Sequence, residues 1–171
     1  IALEEAASVR PPELVRVDAS LFSFDQQRDC NAPAAELRSL GFAPLLDAAS
    51  PAFSRRGLAP ILIRFYGDAS CDNLAIRFSA VLQQRPAQLL ACASVFSDGH
   101  VLIAQRDGDW PVPSGVGVGV TRLSPRASLV ELVTRHAGHC ATHLRNNPGL
   151  TCRPLRTLAD CDRVWQAMTP D

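Results

Sequence analysis

The segment RHAGHCATHL, residues 135–144, gathers His136, His139 and His143, three of the chain's four histidines, with Cys140, one of its six cysteines. Imidazole nitrogen and thiolate sulfur are common protein donors to zinc, so a metal centre is the chemistry these residue types offer. Their spacing limits it. His139 with His143, and His136 with Cys140, are i, i+4 pairs that can each hold one ion, but a straight helix cannot bring four donors around a tetrahedral centre. Further ligands would have to come from elsewhere, with Cys152 and Cys161 the nearest thiols downstream. A buried histidine bonded to a backbone group, with cysteine as a small apolar filler, explains His136 and Cys140 without metal. That packing reading is adopted, with no cofactor expected. Zinc at His136, His139, Cys140 and His143 is the alternative. A nucleophilic Cys140 would need an accessible, electropositive setting, which a core-facing position does not provide.

The element that must carry these side chains is a long helix. Ser124-Pro125 suits a helix start and Asn147-Pro148-Gly149 a stop, so the helix is expected over 124–146. At about 100° per residue, Leu129, Val133, His136, Cys140 and Leu144 form one stripe, with Glu131, Arg135, Gly138, Thr142 and Arg145 opposite. His136 and Cys140 are therefore expected in the core, and His139 and His143 on the more exposed flank.

Two other stretches invite a functional reading. GVGVGV, residues 115–120, has glycines at alternate positions, but a dinucleotide-binding fingerprint needs G-x-G-x-x-G between a strand and a helix. A strand with one bare face against close-lying backbone or a covering side chain fits better, and no phosphate binding is expected. DGDWPVPSG is a proline-rich loop whose Trp110 is either an exposed binding aromatic or a side chain folded over the sheet edge. It is retained as the candidate ligand or partner residue. No catalytic residue is assigned, since the chain carries no G-x-S-x-G, H-E-x-x-H or Walker sequence.

The remaining elements follow from periodicity and turn chemistry. LVRVDASLF alternates as a half-buried strand, followed by a loop. In NAPAAELRSLGF, Asn31 caps a short helix with Pro33 in its first turn, Gly41 ends it in the left-handed conformation, and Phe42 folds back on Leu37. FAPLLD is a strand, a polar stretch with Pro51, Arg55, Arg56 and Gly57 follows, and PILIRFYG and NLAIRFSAVLQ are two antiparallel strands joined by DASCD. LLACASVFSDGHVLIAQ is a hairpin in which Asp98-Gly99 suits a type I′ turn, with positive φ at both residues. TLADCDRVWQAM is a terminal helix capped by Thr157, with Leu158, Cys161, Val164, Trp165 and Met168 on its inner face.

Composition bounds the rest. The chain has 171 residues, 47% of them hydrophobic, enough for one domain with a real core. Basic and acidic side chains number 17 each, so no net field draws nucleic acid or an acidic membrane surface. All the basic residues are arginine, which points to a GC-rich coding sequence. No run is long enough to span a bilayer. The scattered cysteines, with no C-x-x-C pair, read as free and mostly buried thiols. Because the chain opens on Ile1, it is read as a trimmed fragment in which a signal or anchor can precede the first residue.

ELRSLGFAPLLD, PILIRFYG, SVFSDGHVLIAQ and SPRASLVELVTRHAGH, in that order, resemble a group of uncharacterised bacterial proteins. The similarity covers roughly 34–143 and rests on Leu40, Gly41, Phe42, Asp98, Gly99 and His136. It implies a soluble α+β domain behind an N-terminal membrane segment, hence placement at the cell envelope. The chain departs from that group in lacking the membrane segment and in carrying His139, Cys140 and His143. The expected architecture is a tail at 1–13 and one α+β domain at 14–171. In it, an antiparallel sheet of about five or six strands is covered by the long helix, with a short N-terminal and a terminal helix. The expected function is noncatalytic binding of a partner protein or small ligand, the alternative being a metal-binding protein or metal-dependent enzyme.

Overall fold

The computed structural model describes residues 13–55, 59–70, 72–82 and 84–169. Cys71, Arg56, Gly57 and all of the proposed tail except Glu13 lie outside them. The fold is α+β, built on one seven-stranded sheet in sequence order: β1 (Val15–Arg16), β2 (Phe42–Ala49), β3 (Ile63–Asp68), β4 (Leu74–Leu82), β5 (Arg85–Val95), β6 (Val101–Arg106) and β7 (Val118–Leu123). The first six form an antiparallel meander, and β7 lies parallel to β6. The expectation of five or six strands is corrected to seven. Each of the seven overlaps a stretch read as a strand from the sequence, and the GVGVGV strand joins the sheet through a crossover that no local turn signal announces.

Helices cover both faces. On one lie α1 (Phe24–Asn31), α2 (Ala34–Ser39) and α4 (Leu129–Asn146), over Phe42, Tyr66, Ala75, Leu90, Cys92 and Ala104. On the other lie α3 (Pro51–Arg55) and α5 (Leu158–Met168), where Phe53 and Trp165 pack on Ile63, Phe65, Ile76, Phe78 and Ile103. Among the described residues no helix is long and apolar enough to cross a membrane.

Several local expectations are revised. LVRVDASLF is a strand only at Val15–Arg16, because Asp18 accepts a hydrogen bond from Ser20 N (2.9 Å) and caps a 3-10 turn at Ala19–Leu21. The segment after it is the helix α1, capped by Ser23. Gln26 fixes α1 to the sheet by accepting from Leu62 N (2.7 Å), and Tyr66 donates to the Cys30 carbonyl (2.6 Å). Asn31 therefore ends α1 instead of capping the next helix, and Pro33 stands at the N-cap of α2. The polar stretch after β2 contains α3, whose Phe53 enters the core.

Helix α4 begins later than Ser124. The stretch 124–127 is a turn closed by Ala127 N on the Ser124 carbonyl (2.9 Å). The true cap is Ser128, whose hydroxyl accepts from Glu131 N (3.1 Å) while Glu131 Oε2 accepts from Ser128 N (2.6 Å), a reciprocal capping box. Thr157 caps α5 as expected, and Cys161, Val164, Trp165 and Met168 are buried.

The Asp98-Gly99 hairpin joins β5 and β6, but not through a type I′ turn. Gly99 has φ +88° and Asp98 is not in the left-handed region. Gly99 N bonds to the Phe96 carbonyl (2.9 Å) and Phe96 N to the His100 carbonyl (2.8 Å), which makes a three-residue loop with glycine in the left-handed position. Asp98 Oδ1 accepts from His100 N (3.0 Å), an Asx contact that holds aspartate in its ordinary conformation.

In GVGVGV, Gly119 carries the close approach. A Cβ there would lie 2.6 Å from Leu102 Cδ2 and 3.9 Å from His139 Cε1, whereas one at Gly115 would meet Val118 Cγ2 at an ordinary 3.5 Å. Gly119 thus lets β7 lie under Leu102 and α4. Gly119→Ala is expected to lower stability by about 1–3 kcal/mol through overpacking, and Gly115→Ala by no more than about 0.5 kcal/mol. Urea melts check both. Pairing Gly119→Ala with Leu102→Ala is expected to cost less than the sum of the two single changes.

Candidate functional site

Helix α4 presents its histidines to three different surroundings. His136, 2% exposed, points inward at β5, where Ser94 is fully buried. His136 Nε2 lies 2.8 Å from Ser94 Oγ, and Cys140 Sγ is 3.5 Å from the same nitrogen. Ser94 Oγ is in turn 2.7 Å from Asn73 Oδ1, and Asn73 Nδ2 donates to Asp68 Oδ2.

Counting protons along this row fixes its direction. The Asp68 carboxylate can only accept, so Asn73 turns its amide nitrogen toward it and its carbonyl toward Ser94. The one Ser94 hydrogen then goes to Asn73, and His136 must donate Nε2–H to Ser94. His136 Nδ1 is left as a buried lone pair without a partner. Burial pulls the His136 pKa down from 6.5 to about 4, with His139 adding to that effect and Asp68 opposing it, so the ring is neutral near pH 7. The polarity is opposite to that of a serine nucleophile served by a histidine base, where the hydroxyl donates to the imidazole. Cys140 is held as a thiol, its pKa raised chiefly by burial.

His139 lies at the flank, half-buried, with Nδ1 2.5 Å from Thr121 Oγ1 of β7. His143, also half-buried, meets the Phe96 ring edge-on at 4.7 Å between centroids and the His100 ring at 5.6 Å, and its buried Nε2 has no partner. His136 and Cys140 are thus in the core, with His139 and His143 less buried, as the helical stripe predicts. Among the described residues no three His, Cys, Asp or Glu side chains are arranged to hold a metal ion. The five described cysteines are free thiols, four of them buried and Cys152 half-buried.

Trp110 sits in the crossover between β6 and β7 and folds down on the α5 side of the sheet. Its ring meets Phe78, Trp165 and Phe53 at centroid distances of 5.0, 6.2 and 6.4 Å, and its Nε1 donates to the Met168 carbonyl (3.1 Å). Gln105 Nε2 donates to the Trp110 carbonyl (3.0 Å).

An open depression lies elsewhere, between β7 and the outer side of α4. It measures about 1000 Å³ and is open to solvent; Thr121, Leu123, Arg126, Val130, Arg135 and Gly138 are among its walls. Sequence reasoning placed Arg135 and Gly138 on the outer stripe of α4 but did not join them to β7, since nothing local shows which strand the helix lies against. Ser94 was missed too, although a lone hydroxyl in the apolar run LLACASVF signals a buried partner.

Compared with known proteins, the chain matches no protein-family model, no curated protein and no solved structure.

The buried ring gives a pH signature. Unfolded, His136 gains a proton below its ordinary 6.5; folded, it stays neutral to about 4. Between these values the unfolded chain binds more protons, so stability falls as pH drops through that window, by roughly 3 kcal/mol. His136→Gln keeps a donor for Ser94 and has no titrating ring. Urea melts at pH 7, 5.5 and 4 are expected to fall less steeply for this variant; parallel curves would contradict a buried neutral histidine.

Proposed function

We propose that the protein is a noncatalytic binding domain whose ligand surface is the groove between β7 and α4. The observation that carries this is Gly138. It lies in the middle of an 18-residue helix, where glycine costs about 1 kcal/mol relative to alanine. None of the described residues requires it there: its φ is not in the left-handed region, it is exposed, and an added Cβ would meet nothing described within 4 Å. A glycine with neither a backbone nor a packing reason, on the wall of an open groove, is accounted for by close approach of a bound molecule.

The reading is supported by how the more reactive side chains are used. Ser94 directs its hydrogen to Asn73, Cys140 is a buried thiol beside a neutral imidazole, and Trp110 packs against three core rings. The alternative, zinc at His136, His139, Cys140 and His143, has less support, since these side chains take Ser94, Thr121 and Phe96 as separate partners. The groove also replaces the Trp110 loop as the preferred surface.

Gly138→Ala is expected to stabilise the chain by about 0.5–1 kcal/mol in urea melts. Gly138→Trp is expected to fold and to fill the groove. Peptides selected from a random seven-residue display library on the unaltered protein are expected to be competed off by it and not by Gly138→Trp. Equal competition by the two proteins would remove the groove as the binding surface.

A further inference from the structure

Taking the groove as the binding surface, we infer that its occupant is an extended acidic peptide segment that adds to β7 as an eighth strand. Strand β7 ends the sheet: it pairs with β6 on one side and with no described strand on the other. An unpaired edge presents alternating N–H and C=O groups that an extended peptide satisfies by β-augmentation. At the opposite edge β1 is two residues long, against six in β7, so β7 offers the longer ladder.

Charge selects the peptide. The groove is lined by Arg122, Arg126 and Arg135 and by one acid, Glu131, whose Oε2 is engaged on Ser128 N in the capping box. Arg122 is paired with Asp107 (2.5 Å), while among the described residues neither Arg126 nor Arg135 has an ion-pair partner. This local excess of positive charge stands in a chain of zero formal net charge. It complements carboxylates on one face of a strand, while Val130, 48% exposed, offers apolar contact to the alternate residues. The same arginines disfavour a second copy of the chain: pairing β7 with β7 across a two-fold axis would bring two such sets together.

The test uses fluorescein-labelled heptapeptides of alternating valine and glutamate, or valine and lysine, with fluorescence anisotropy as the readout. The glutamate peptide is expected to bind at least about tenfold more tightly than the lysine peptide, more weakly as salt is raised, and not to Gly138→Trp. Arg126→Glu with Arg135→Glu is expected to reverse the charge preference. N-methylation blocks strand pairing from one edge only, because successive amides point to opposite sides. Methylating one alternate set of amides is expected to abolish binding and methylating the other to leave it. Equal binding of the two charges, or equal effects of the two methylation sets, would overturn the acidic-strand inference while leaving the groove, provided display-selected peptides remain sensitive to Gly138→Trp. Loss of that sensitivity would overturn both. A dimer in sedimentation that Gly138→Trp dissociates would put a second copy in the groove and overturn the peptide.

Discussion

Residues 89–96, which make up most of β5 and run one residue past it, are all buried. A strand sealed from water on both sides has to be covered on both. Leu89, Ala91, Ala93 and Val95 face the layer of α5, and Leu90 and Cys92 face that of α4 and α2. Ser94 is the exception on this strand, a hydroxyl with no access to solvent. Leaving it unpaired would cost roughly 1–3 kcal/mol, and the structure meets the demand with Asn73 from the β3–β4 connection and His136 from α4. One buried serine thereby joins a turn, the doubly covered strand β5 and the long helix, and sets where along β5 the helix sits. Cys140, one helical turn beyond, closes against Phe96 and Leu102 in the same contact.

What the sequence discloses and withholds follows from how local each signal is. The stripes of α4 and α5 and the Thr157 cap depend on neighbours within one or two turns, and the structure places them as expected. The Asp98-Gly99 hairpin is equally local. Its turn type was misjudged because dipeptide preference ignores the Asx bond that keeps Asp98 out of the left-handed region. The start of α4 was misplaced for a similar reason: Ser-Pro is a strong cap, but Ser128 with Glu131 three residues on satisfies two backbone groups and wins. The parallel pairing of β7 with β6, the descent of Trp110 onto Phe78, and the meeting of Ser94 with His136 join residues between 17 and 42 positions apart. No periodicity encodes such meetings. The second helical layer had a sign that went unused: LLACASVF is continuously apolar where a one-sided strand would alternate.

The histidine cluster shows why residue type and spacing decide less than surroundings. The i, i+4 relation of His136 and Cys140 does bring them together, at 3.5 Å. What fixes their chemistry is farther along the chain: a carboxylate at Asp68, an amide that must turn to meet it, and a hydroxyl that passes the polarity on. Each acceptor in the row takes a hydrogen from the next group, so the imidazole ends it as a donor. Its unpaired atom is a lone pair, which is less costly to bury than an unpaired N–H.

The two sides of α4 therefore carry different constraints. Inward, every position answers to a neighbour: Leu132 and His136 have almost no free surface, and even the flanking His139 is tied to Thr121 of β7. Outward, Gly138 weakens the helix and touches nothing, and Arg126, before the helix begins, and Arg135 stand without described ion-pair partners beside a strand edge that is itself unpaired. Folding alone would favour alanine at 138 and a shorter, blunted edge at β7. Among the described residues lining the groove three arginines stand with one acid, Glu131, so positive charge is in excess where the edge is open. Stability accounts for the inner side of this helix. The outer side keeps a destabilising residue, an open ladder and unpaired charge together, and it is this combination on which the proposal of a bound peptide rests.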